Sequence, residues 1–376
     1  MIVYKAWEDG GVRQGRPLNP ESWMDPTTYP MALNPEMPDH RRPTATMVVP
    51  AWVRGVPSQR LMLILRSPGC TYDRKPGGGC SFCGFRHLTS EGAKVTTEEY
   101  IAQMEAALAA HEADLPQIRE IDIFNSGNFL NDAEVPPDAR LAILRTCAQR
   151  ETVRLLVIES RPEYVRSEKL TPLSSAIRRA GGDLALEVGI GLDAYDDSIR
   201  EGLLRKGFSR ADFERVVEVL AQLRIDLLAY VMLKPCELSD ADALRDVVNA
   251  GEYVYRVAAA SQVHARIALE PTFVVPETRL ALEYASGAYT PPSLWLVKEA
   301  AVRLAGMGPV TVGLWDEDLN PVAVPSSCGA CRTRLIEALR TFNLTQDLSD
   351  LNLPPCPCQG SGFRSQDSGS ERPDSW

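Results

Sequence analysis

Seven short apolar runs, at residues 61–65, 121–124, 153–158, 184–192, 227–233, 265–269 and 310–314, alternate along this chain with longer helix-like stretches such as 98–111, 139–149, 209–222 and 240–250. A strand, an amphipathic helix and another strand bring the chain back in the direction it started, so the strands pair in parallel. The pattern predicts an α/β chain whose sheet is closed or partly closed into a barrel over residues 46–315. In such barrels the reacting groups stand at the carboxyl ends of the strands, so the residues just after each apolar run are the ones to read for chemistry. Residues 1–45 are rich in Pro and Met and hold no sustained period, which predicts an extended N-terminal arm. Residues 316–358 form a cysteine-rich region, and 359–376 are polar and low in complexity, as expected of a disordered tail.

Bulk properties narrow the function classes. No run approaches the roughly 18 apolar residues of a membrane span, and the first residues turn acidic and glycine-rich at once, unlike a signal peptide. Nine cysteines at short spacings read as metal ligation in a reducing compartment, which predicts a cytoplasmic protein without a membrane partner. Forty basic residues against 50 acidic ones give a formal charge of -10. Proteins that hold folded RNA usually present a basic face, because phosphate neutralisation supplies most of the affinity. The balance here favours a small-molecule substrate over a polynucleotide.

Two groups of cysteines carry the chemistry. Cys70, Cys80 and Cys83 stand in SPGCTYDRKPGGGCSFCGF, directly after the first apolar run. Three thiols can hold three irons of a 4Fe-4S cube and leave the fourth open, or they can join His87 in a zinc site, which usually needs four ligands. Gly77, Gly78 and Gly79 give the loop the backbone freedom to wrap. The second group is Cys328, Cys331, Cys356 and Cys358, a CxxC and a CxC separated by a helix-like stretch. Four thiolates suffice for a closed structural zinc or for a fully ligated cluster, and spacing alone does not separate the two.

The loop resembles the cluster loop of the radical S-adenosylmethionine (SAM) superfamily, in which the open iron chelates SAM. The order of ESRPEY, GIGLDAYDDSIRE, LRKGF, MLKP and EPT along residues 55–340 is similar to the branch that contains the archaeosine-synthesis enzyme and, more remotely, the elongator acetyltransferase radical SAM domain. The resemblance implies a six-unit partial barrel, a SAM-binding 4Fe-4S cluster on Cys70, Cys80 and Cys83, and an electron donor such as flavodoxin or ferredoxin. It places Phe82 against the adenine, and Ser126, Gly127, Asn128, Glu159, Arg161 and Glu187 around SAM. It also tilts the C-terminal quartet toward an auxiliary 4Fe-4S cluster acting as sulfur donor or electron relay, with zinc as the alternative. Asp193 stands where the family pattern has glutamate.

Single residues carry two readings each. Cys236, at the end of the fifth apolar run, is a candidate catalytic thiol that donates a hydrogen atom or ligates a cluster, or else a small buried apolar residue. Cys147 sits in a helical pattern and is expected to pack. Lys206 and Lys234 would meet a substrate phosphate or carboxylate, or lie on the surface. The expected activity is radical SAM chemistry on a nucleoside or nucleotide. The alternative is an archaeosine-type cleavage of a lysine adduct on a 7-deazaguanine base of tRNA, and a noncatalytic metal scaffold is the reading from outside enzymology.

Overall fold

A computed structural model describes residues 39–181, 183–314 and 319–359. Most of the expected arm and nearly all of the expected tail lie outside the described residues. Eight strands form one sheet in sequential order: β1 (Ala45–Val53), β2 (Val56–Ile64), β3 (Ile118–Phe124), β4 (Leu155–Glu159), β5 (Ala185–Asp193), β6 (Asp226–Leu233), β7 (Ala265–Pro271) and β8 (Val310–Val312). Strands β2 to β8 are parallel and correspond to the seven apolar runs. Parallel strands covered on both faces become near-continuous apolar sequences, which is why they were legible. β1 pairs antiparallel with β2 through a tight turn in which Arg54 and Gly55 both take positive φ, the geometry that suits a two-residue hairpin.

Six crossovers link the parallel strands and cover the outer face. They carry α1 (Thr97–Ala110), α2 (Pro137–Ala148), α3 (Ser167–Ala180), α4 (Arg210–Leu223), α5 (Asp240–Ala260) and the pair α6 (Arg279–Ala285) and α7 (Leu294–Ala305). Thr96 and Ser209 close reciprocal capping boxes at the starts of α1 and α4, satisfying donors that a helix start leaves free. The main core lies between this helical layer and the sheet and includes Leu61, Ile121, Ile158, Val188, Phe213 and Leu269.

The sheet curls into a half-barrel, and α8 (Arg332–Thr345) packs on β1, β2 and β8. It also protects the β8 edge. Asn343 accepts from Val312 N and donates to Val312 O, both at 2.8 Å, while the Gln346 amide, just beyond the helix, pairs with Val310 in the same way at 3.2 and 2.8 Å. The side-chain amides take the place of a neighbouring strand on an otherwise open edge. No described helix is long and apolar enough to cross a membrane.

Candidate active site

The loop after β2 delivers the first cysteine group to the carboxyl ends of the strands. Cys70, Cys80, Phe82 and Cys83 line a cavity of about 260 Å³, together with Ser126, Gly127, Asn128, Glu159, Arg161, Asp193, Lys206, Tyr230 and Glu270. The loop is stitched to the segment before α4. Tyr72 Oη donates to Arg205 O at 2.8 Å, Ser81 N to Leu204 O at 3.0 Å, and Ser81 Oγ to Leu203 O at 2.7 Å. The LRKGF motif is therefore largely a clamp on the cysteine loop. Gly207, at φ +67°, sits where a Cβ would stand 2.6 Å from the Tyr72 hydroxyl.

A second support is Glu134, which sequence reading missed. Its buried carboxylate accepts from Thr71 N at 2.8 Å, Thr71 Oγ1 at 2.9 Å, and the Asn128 and Asn131 amides at 2.8 Å. Asn128 Nδ2 also lies 3.5 Å from Cys70 Sγ, and Asn128 Oδ1 accepts from Arg161 N at 2.9 Å. One buried side chain thus joins the cysteine loop, the turn after β3 and the turn after β4. A Cβ on Gly127 would fall 2.2 Å from Glu134 Oε2 and 3.1 Å from Cys70 N, so only glycine fits between them. Ser126 beside it takes φ +50°, a left-handed conformation held by the packing around it.

Electrostatics divides the cavity. Burial pushes the Cys83 thiol up to about 12, so thiolates at this depth need a strongly cationic partner. Buried Ser126, Ser160 and Thr272 hydroxyls line the cavity without hydrogen-bond partners among the described residues. These features fit an iron-sulfur cluster and a polar ligand beside it. Phe82 and Arg161 line the same wall, and the Arg161 guanidinium lies 3.9 Å over the Tyr72 ring.

Lys206 is not on the surface. Its ammonium pairs with Asp193 at 2.5 Å and lies 5.6 Å from the Phe82 ring centre. Burial works against its charge, yet Asp193 and Cys80 raise its pKa overall. Asp193 reaches this position because the β5–β6 register shifts between Gly191 and Asp193, and Asp193 itself takes φ +62°. A bulge of this kind re-aims a side chain.

Glu159 and Glu270 face the lumen differently. Burial raises Glu159 to about 7 and Glu270 to about 8. Tyr230 stands beside Glu159, and neither carboxyl forms an ion pair with a described residue. Both carboxyls and Tyr230 also line an adjoining inner chamber with Arg60, Asp122, Thr341, Asn343 and Leu344. A Cβ on Gly313 would meet Glu270 Oε2 at 2.0 Å, so glycine makes room for that carboxyl.

Two expectations are corrected. Glu187 does not line the cavity. Its carboxylate is held 2.6 Å from Arg266 Nη2, which also binds Glu120 at 2.6 Å, because all three side chains are buried together in the sheet interior. Cys236 does not line it either, and packs with Ala194, Ile199 and Leu204. Burial pushes its thiol up to about 11, which keeps it protonated, and its place in that apolar cluster outside the cavity makes it a packing residue. Lys234 pairs with Asp240 at 2.7 Å away from the cavity lining. Cys147 is fully buried in the main core, as expected.

The second cysteine group is assembled elsewhere. Sγ of Cys328, Cys331, Cys356 and Cys358 all lie within 4.8 Å of one another. None lines the cavity of the first group.

No protein-family model matches the chain. Archaeosine synthase subunit beta of Methanosarcina acetivorans is 30% identical over 320 residues, covering 84% of this chain and 88% of that protein. Archaeosine synthase subunit beta of Thermococcus kodakarensis is 28% identical over 310 residues, covering 81% and 90%. Among solved structures, the archaeal Elp3 of Methanocaldococcus infernus is similar with a TM-score of 0.47 and 13% identity, over 65% of this chain and 59% of that one. The chain belongs to the archaeosine synthase subunit beta family.

Proposed function

We propose that the chain carries out the radical step of an archaeosine-type modification, cleaving a lysine adduct on a 7-deazaguanine base. The observation that carries this reading is the pair of unpaired, cavity-facing carboxyls, Glu159 and Glu270, in a lumen continuous with the cysteine loop. A lysine-bearing amidine brings cationic groups, and a buried carboxylate without a cation of its own is their natural complement. The relatives' names support the same class of reaction.

Cys70, Cys80 and Cys83 would hold the SAM-binding cluster, whose reduction supplies a 5'-deoxyadenosyl radical as hydrogen-atom acceptor. Asn128 steadies Cys70, and Glu134 fixes Asn128. Phe82, Ser126, Gly127, Asn128 and Arg161 are assigned to SAM, with Glu159 at the wall shared with the substrate. Glu270 and Tyr230 orient the substrate, while the Lys206–Asp193 pair keeps a buried positive charge beside the cluster loop.

We place the reaction in the cytoplasm, with an electron donor of the flavodoxin or ferredoxin kind. The relatives are named as subunits, and the charge of -10 supports a division of labour in which a second subunit supplies the RNA contacts. The same charge favours a free nucleoside as the second reading. The test is anaerobic turnover with dithionite, comparing lysine-adduct tRNA with the matching free nucleoside, and following 5'-deoxyadenosine and the modified base by mass spectrometry. Product from tRNA supports the first reading. Product from the nucleoside alone moves the substrate to the second, and 5'-deoxyadenosine without product from either removes both.

A further inference from the structure

The C-terminal thiols have a geometry that discriminates between metals. Cys328 and Cys331 form the turn that starts α8, with Cys331 N donating to Cys328 O at 3.0 Å. Cys356 and Cys358 come from the segment beyond the short turn Leu348–Leu351. The Sγ separations are 3.4 Å for Cys328–Cys331, 3.5 Å for Cys328–Cys356, 3.5 Å for Cys331–Cys358 and 3.4 Å for Cys356–Cys358. None of the four is in a disulfide, and these distances are far beyond a disulfide bond.

Four sulfurs bound tetrahedrally to one ion at about 2.3 Å lie roughly 3.8 Å apart. The four edges at 3.4–3.5 Å are close to those of that tetrahedron, and the remaining two are under 4.8 Å. A 4Fe-4S cube binds each thiolate to a different iron, so its ligand sulfurs must stand well clear of one another. Among the described residues, the quartet is the one group of three or more such ligands whose atoms all fall within 4.8 Å. Cys70, Cys80 and Cys83 form no such group.

The surroundings point the same way. Leu294 and Trp295 of α7 and Leu335 and Ile336 of α8 pack around the thiols, with Leu353 completing the shell. Ser327 Oγ lies 3.5 Å from Cys331 Sγ, the position of an outer-shell partner. With four thiolates bound, no coordination position remains for substrate or for a transferable sulfide.

We propose that Cys328, Cys331, Cys356 and Cys358 hold a single zinc ion that pins the start of α8 to the chain's C-terminal segment. The site is then neither an auxiliary iron-sulfur cluster nor a sulfur donor. It acts on the reaction only through α8, whose Thr341, Asn343 and Leu344 line the inner chamber. The assignment is independent of the substrate.

The experiment is metal analysis and zinc-edge X-ray absorption on the anaerobically purified full chain, repeated for a Cys356→Ser/Cys358→Ser variant. About four irons and about one zinc are expected, with four sulfurs at about 2.3 Å around zinc and no metal neighbour. The variant should lose the zinc while keeping its irons and its SAM cleavage within about twofold. About eight irons, a single extra iron in place of zinc, or no zinc in protein made in zinc-replete medium overturns the proposal. If the variant does not fold, the wild-type stoichiometry and edge spectrum decide alone.

Discussion

The two cysteine regions use the same thiol in opposite ways. The loop after β2 spreads three thiols around a cavity and holds them through groups that are not ligands, among them Glu134, Asn128 and the backbone before α4. The quartet draws four thiols into mutual contact on an apolar bed, outside that cavity. The first arrangement leaves room for a large cofactor and an exchangeable ligand, whereas the second leaves room for one ion and nothing else. What separates reactive from structural metal chemistry here is sulfur spacing and access.

The strongest way to break this comparison is to remove a loop thiol. Cys83→Ala should abolish SAM cleavage, a loss on the order of 10³-fold or more, with iron retention failing while zinc stays. Iron and 5'-deoxyadenosine assays on one preparation check it, and retained SAM cleavage would refute the assignment of the loop.

Chelation of the quartet's metal should act on stability. Because a structural thiolate site contributes its binding energy to folding, the melting temperature should fall by about 10 °C, read by circular dichroism with the iron chromophore as an internal control. An unchanged melting curve with zinc demonstrably removed would leave α8 without its proposed anchor.

Glu270→Gln sharpens the cavity side. Losing a buried charge-assisted contact costs about 2–3 kcal/mol, so product formation should fall roughly 30- to 160-fold while SAM cleavage continues. Equal losses in both would move Glu270 from substrate to cofactor. Gly127→Ala should cost about 1–3 kcal/mol through overpacking against Glu134, seen as a lower denaturation midpoint and reduced iron occupancy. A Gly127→Ala protein with wild-type midpoint and iron would show that the cradle is looser than its distances imply.

The pH dependence of stability tests the same carboxyls. Burial raises Glu159 to about 7 and Glu270 to about 8, above an unfolded value near 4.5. A raised carboxyl favours folding fully below the unfolded pKa, and that contribution is lost as pH rises through the folded values. The metal-free chain should therefore lose stability steadily as pH rises from about 5 to about 8. A Glu159→Gln/Glu270→Gln variant should flatten this slope in urea titrations, and an equal slope in both proteins would assign it to other groups.

The seven parallel strands and both cysteine groups were legible in the sequence, because buried strands demand continuous apolar runs and metal ligands demand particular residue types. β1 was not foreseen as a strand, since its sequence ATMVVPAWV is interrupted by Pro50 and pairs only as an edge hairpin. Glu187 and Tyr230 stand inside apolar strands, and nothing in the sequence named their partners. Those were decided by register: Glu187 reaches Arg266 two strands away, and Tyr230 stands beside Glu159. Tertiary structure also buried Cys236, brought Lys206 to Asp193 through a bulge, and made Glu134 the hub of the cysteine loop. Residue type and order along the chain determine what chemistry is available. Distances between sulfurs, and the pairing of each buried charge, depend on side-chain directions that only the folded sheet and its covering helices establish.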